Sequence, residues 1–147
     1  CRQKDIWGMA YMLYIDFPVP TAAKASLIDF LCSNYERYMY QGQVRHLLSG
    51  EYWQKLLIDV PPETYQNGAY WATASGWLIW CLAHKNIALA ARAALEAASY
   101  LQEKGSYECV NNNYQKLPRM VVSATNLYAG LKRAAEDFPA LRMALDS

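Results

Sequence analysis

Glu63-Thr64-Tyr65-Gln66-Asn67-Gly68-Ala69-Tyr70-Trp71-Ala72-Thr73-Ala74-Ser75-Gly76-Trp77 runs from a polar, aromatic, glycine-marked loop straight into an apolar segment. Asn67-Gly68 marks a turn. Beyond it the spacing predicts a helix from about Gly68 to His84. A plain helix connection needs neither an amide pair nor this many aromatic rings. A carbohydrate site uses both, because sugars present hydroxyls in the ring plane and apolar C–H faces above and below it. Amides such as Gln66 and Asn67 serve the hydroxyls, and flat rings such as Tyr70 and Trp71 serve the faces. A packed corner with Trp71 and Trp77 in the core accounts for these residue types equally well.

Downstream, Asn86 can cap an alanine-rich helix from Ile87 to Lys104 that ends at Gly105. A loop from Ser106 to Leu117 follows, and Pro118 suits the first turn of a helix reaching about Glu136. A short last helix follows Pro139. Upstream, Ile6, Met9 and Leu13 give the stripe of a first helix from about Asp5 to Asp16, which Pro18 and Pro20 end. Thr21 can cap a longer helix through about Tyr40, with Leu27, Phe30, Leu31, Tyr35 and Tyr38 on one side and Gly42 as its stop. The stretch from Gln41 to Asn67 is too long for a bundle turn and too aromatic for disorder. No strand pattern competes; Met120-Val121-Val122 is β-branched but short. The expected fold is all-α, with stacked antiparallel helical hairpins whose long loops gather at one end. That describes part of an (α/α)6 toroid.

At 147 residues the chain suits one domain. Fourteen basic and thirteen acidic residues leave a net charge of +1 with no basic run, which argues against nucleic acid. No apolar stretch is long enough for a membrane span, and no secretory signal precedes the first helix. Because the chain opens on Cys1 rather than methionine, it reads as a piece of something longer. Cys1, Cys32, Cys81 and Cys109 form no CxxC pair, and His46 and His84 lie at no ligand spacing, so no metal and no cofactor is implied. Cys32 and Cys81 fall in apolar helical patterns, where a thiol acts as a small hydrophobe. Five tryptophans and twelve tyrosines exceed what core filling takes, and many sit near helix starts or in loops.

These residues together resemble the six-hairpin glycosidases, the (α/α)6-barrel hydrolases that include trehalases, glucoamylases and processing glucosidases. Asp5-Ile6-Trp7-Gly8-Met9-Ala10-Tyr11 is similar to the inner helix of the fourth hairpin. Tyr65 to Trp71 with Gly76-Trp77 is similar to the loop and inner helix of the fifth, and Tyr107-Glu108 with Val122-Ser123-Ala124-Thr125-Asn126 to the entry of the last. The resemblance spans the whole chain and is specific for the superfamily rather than a subfamily. It implies an oligosaccharide or glycoside substrate and an inverting reaction between two carboxylates roughly 6.5–9.5 Å apart. By position it makes Glu108 the general base. It puts the general acid upstream of Asp5, in an N-terminal half of the barrel outside this chain, so the 147 residues alone are expected to be inactive.

Asp5 suits the charge–dipole role at a helix start rather than proton donation. Arg45 and His46 lie in the loop between the fourth and fifth hairpins, where both could hydrogen-bond sugar hydroxyls. Trp53, in Glu51-Tyr52-Trp53, offers a stacking platform. Two other classes remain: a non-catalytic helical module that binds carbohydrate or protein, and a sugar epimerase or lyase on a related toroid. Two histidines outside any repeated loop position count against the epimerase. The lack of a glycine-rich phosphate loop counts against kinase chemistry.

Overall fold

The computed structural model describes residues 2–146; Cys1, one of the four cysteines, lies outside them. Helix α1 (Ile6–Tyr14) begins at Asp5, whose carboxylate accepts from the Trp7 amide at 3.1 Å. Asp16 then turns left-handed and Pro18 and Pro20 carry the chain away. Helix α2 (Thr21–Ser33) starts with Thr21 as its first helical residue, not as its cap. It also stops short of the expected Tyr40. The Asn34 side chain bonds the Phe30 carbonyl at 2.9 Å, competing with the backbone, and one further turn, α3 (Tyr35–Tyr38), follows the break. Met39 is already extended, and β1 (Met39–Tyr40) pairs with β2 (Gln43–Val44), so Gly42 serves a hairpin turn rather than a helix end.

The expected helix from Gly68 forms only from Ala72. Tyr70 and Trp71 are extended because their backbones pair elsewhere, and a 3-10 turn (Ala72–Ala74) leads into α4 (Ser75–Ala83). Helix α5 (Ile87–Lys104) follows the sequence closely: Asn86 accepts from the Leu89 amide at 3.0 Å, and Gly105 leaves with φ 84°. The loop expected over Ser106–Leu117 is a β-hairpin, β3 (Tyr107–Asn111) with β4 (Tyr114–Pro118), in antiparallel register. Pro118 therefore ends an edge strand, where its missing N–H costs no ladder bond. Helix α6 (Val121–Asp137) starts three residues later, with Val121 and Val122 in its first turn. Helix α7 (Pro139–Leu145) closes the described chain. The fold is thus helix-rich with two small sheets, not all-α.

Helix α4 lies at the centre. It packs against α1 on one side and α6 on the other, with α5 behind it; α7 rests on α5 and α6, and α2 on α1 and α4. Helices α1, α4 and α6 are therefore successive neighbours. The core runs through this stack: Ile6, Ala10 and Leu13 of α1, Leu78, Ile79 and Leu82 of α4, Ala90, Ala93 and Ala97 of α5, Leu127 of α6 and Leu141 of α7. Each of the larger side chains stabilises the fold by about 1.5–3 kcal/mol when fully buried. At the alanine face of α5 the Gly42 backbone comes so near that a Cβ there would lie 2.3 Å from the Ala97 nitrogen.

Candidate functional site

The two long connections, between α3 and α4 and between α5 and α6, meet at one end of the stack beside the segment that enters α1. Val44 and Trp71 exchange both backbone hydrogen bonds (3.0 and 2.9 Å), and Tyr70 and Val110 do the same (2.8 Å each). The Ile6 amide donates to the His46 carbonyl at 2.7 Å, and the Ser123 hydroxyl to the Tyr107 carbonyl at 2.7 Å. These bonds bring the loop regions to the N-terminal ends of α1, α4 and α6. Arg45, His46, Trp53, Gln66, Asn67, Tyr70, Trp71 and Glu108 all belong to this end.

Glu108 stands half-buried near the start of β3, two residues before the locked backbone of Val110 and away from the hairpin turn. The Tyr65 hydroxyl donates to its Oε1 at 3.2 Å. Tyr65 is itself held from several sides. Its backbone is left-handed (φ 42°), a conformation that costs a non-glycine residue about 1–3 kcal/mol. Its carbonyl accepts from the Ala69 amide at 3.1 Å and from Trp71 Nε1 at 3.3 Å. Its ring lies 5.1 Å from that of Trp71, and the Lys116 ammonium sits 3.7 Å from its centre. Burial, followed by the Glu108 charge, raises the Tyr65 hydroxyl above its ordinary pKa, so it remains a proton donor.

Arg45 is almost wholly buried (1% exposed) and meets Glu63 Oε1 and the Glu51 carbonyl at 3.5 Å each, while its Nε finds no protein partner. Glu63 gathers further donors: the Tyr52 hydroxyl at 2.6 Å and Asn111 Nδ2 at 2.8 Å. Burial opposes ionisation of Glu63, but the hydrogen bonds from Tyr52 and Asn111 and the Arg45 charge outweigh it. They hold the carboxyl below the usual range. The Arg45 guanidinium also lies over the Tyr70 ring at 5.6 Å. Arg45 thus ties β2 to the loop bearing Glu63, and through Asn111 to the β3–β4 hairpin.

His46 stacks on Trp7 (4.1 Å between centres, 23° between planes), and its Nδ1 lies 3.2 Å from Asp5 Oδ1. Its Nε2 is buried without a partner. Asp5 therefore serves both the helix start and His46.

Trp53 is half-buried; its ring N–H donates to the Gln66 carbonyl at 2.8 Å and its amide to Asn67 Oδ1 at 2.9 Å. Asn67 is buried, and its Nδ2 donates to the Val60 carbonyl at 2.9 Å, so both ends of its amide hold the loop together. Its burial leaves little of the amide within reach of a sugar hydroxyl. Gly68 has φ 130°, and a Cβ there would lie 2.9 Å from the Glu63 backbone, so only glycine fits. Gln66 is exposed, leaving its amide open to a ligand. Trp71 is 6% exposed and meets Trp7 edge-on at 5.5 Å, which makes it the floor of the region rather than a free stacking face. Tyr70 is half-buried against Tyr40.

An open cleft of about 370 Å3 runs beside these residues, lined by Trp53, Leu56, Ile58, Val60, Tyr65 and Gln66. A second cleft of about 460 Å3 lies at the other end of the stack, between Leu13, Ile28, Trp80 and His84, away from every predicted site residue. The chemistry-bearing groups are at the loop end. Glu63 and the Tyr65 hydroxyl are the participants the sequence left without a role. The signal for both was the charge and the phenol within the opening stretch itself.

Among the described residues no group of three or more His, Cys, Asp or Glu side chains gathers closely enough to hold a metal ion, and no helix is long and apolar enough to cross a membrane. No family model, curated protein or solved structure matches this chain.

Proposed function

We propose that this chain forms three consecutive helical pairs in the wall of an (α/α)6-barrel glycoside hydrolase that cleaves a glycosidic bond with inversion. The observation that carries this reading is the meeting of two long connections at one end, with a carboxylate, Glu108, held by the Tyr65 hydroxyl. The succession of α1, α4 and α6 as neighbours, backed by their partner helices, supports an arc of such a barrel.

In this reading Glu108 is the general base. It takes a proton from water as the water oxygen bonds to the anomeric carbon. The bond from that carbon to the leaving oxygen breaks, and a carboxylic acid on a hairpin preceding Asp5 protonates the leaving oxygen. Gln66 supplies an exposed amide for sugar hydroxyls, while Arg45, Asn67 and Trp71 keep the loop in shape. A second reading, a non-catalytic binding module, draws support from Leu56-Leu57-Ile58, which stands exposed beside the cleft.

Proton NMR of the first sugar released from a panel of disaccharides by the longer protein containing this chain tests the proposal. The product anomer should be opposite to that of the substrate. Retention contradicts the mechanism, and no hydrolysis of any glycoside favours the binding module.

A further inference from the structure

We infer that Tyr65 is the positioning residue for Glu108: its hydroxyl fixes one carboxylate oxygen, Oε1, so that Oε2 is the atom that meets the hydrolytic water. The inference rests on the reading of Glu108 as general base. Among the described residues no other side chain hydrogen-bonds this carboxylate. The terminal torsion of a glutamate is broad, so an unheld carboxylate samples many orientations about it. The backbone beneath Glu108 is already fixed, because Cys109 and Val110 are buried and Val110 exchanges both backbone bonds with Tyr70. What the strand cannot set is the rotation of the carboxylate, and the 3.2 Å bond from Tyr65 sets it.

Tyr65 suits that task because its own position is over-determined. Its left-handed backbone, the two donors on its carbonyl and the Trp71 ring hold it from one side. The Lys116 ammonium lies over the same ring. A cation over a phenol draws density from the ring, which makes the O–H a better donor. Lys116 also faces Cys109 across the hairpin, so the same strand pair carries the base and the charge above its partner. Strain in the Tyr65 backbone is thus tolerated where it aims one hydroxyl.

Tyr65→Phe removes the hydroxyl while keeping the ring, the Trp71 packing and the Lys116 contact. In the glycosidase containing this chain, kcat should fall by about 10- to 100-fold with KM changed less than about twofold, the mark of lost positioning. The melting temperature should change little, which separates lost positioning from a loosened loop. A Tyr65→Phe enzyme with normal kcat overturns the inference and leaves the base assignment standing. A Glu108→Gln enzyme that keeps full activity overturns the base assignment, and the inference with it.

Discussion

Gly76 of α4 and Gly130 of α6 meet backbone to backbone: a Cβ built on Gly130 would lie 2.4 Å from the Gly76 Cα. This crossing sets the distance between the two helices whose N-terminal ends carry the candidate site. Neither backbone can move aside, since a Cβ on Gly76 would also meet the Asn126 carbonyl at 2.7 Å. Gly130→Ala should lower stability by about 1–3 kcal/mol through overpacking, read as a fall in the urea midpoint at constant slope. A wild-type midpoint would show that the crossing is looser than described.

Asn67 holds the irregular loop by accepting from the Trp53 amide and donating to the Val60 carbonyl. Asn67→Ala leaves both backbone groups without a partner, at a cost of about 1–3 kcal/mol. Amide exchange over residues 53–66 should quicken more than exchange in α5. Uniform quickening throughout the chain would mean that the loop is no separate unit.

His84 and Glu63 both make the fold sensitive to acid, as does the exposed Asp16, which Lys24 holds below its ordinary range. Burial, helped by the charges of Arg133 and Lys24 and opposed by Asp137, holds His84 below its ordinary 6.5. Glu63 is held below its ordinary 4.5 by Tyr52, Asn111 and Arg45 against the effect of burial. Both values are depressed in the folded state, so the unfolded chain binds more protons and stability falls as pH falls. The loss should begin below about pH 6.5 for His84 and deepen below about pH 4.5 for Glu63. Denaturant midpoints against pH check this, and His84→Gln should remove the first stage alone. A midpoint constant from pH 7 to 4 would contradict both assignments.

How much of this was legible in the sequence follows from how local each signal is. Helix α5 was readable at both ends because Asn86 and Gly105 act on their own neighbours. The start of α4 was not, because Tyr70 and Trp71 give their backbone bonds to Val110 and Val44, far away in the chain. The β3–β4 hairpin was hidden by reading Asn111-Asn112-Asn113 as loop. Asn112, which tolerates the left-handed turn (φ 42°), instead joins two strands. For the site, the convergence of the loops at one end was legible from the alternation of short and long connections. That Asn67 and Trp71 are engaged within the loop, and that Glu63 compensates Arg45, are tertiary facts that no spacing encodes.

The barrel reading also bears on the chain alone. Val121, Val122 and Tyr128 of α6 are exposed, as are Tyr11 and Ile15 at α1. Neighbouring pairs of a closed barrel would cover such surface, which costs about 25 cal/mol per Å2 left in water. Sedimentation of the 147-residue chain should show association. A monodisperse monomer that unfolds cooperatively would mark a self-sufficient domain and count against the barrel.

The most direct measurement is kcat of Glu108→Gln in the longer protein that contains this chain. Glutamine keeps the size of the side chain and can still accept from Tyr65, but it cannot take a proton from water. The account predicts that kcat falls by at least ~10²–10⁴-fold while substrate binding is nearly unchanged. Near-normal kcat in that variant would contradict it and move the base to another carboxylate, Glu51 first.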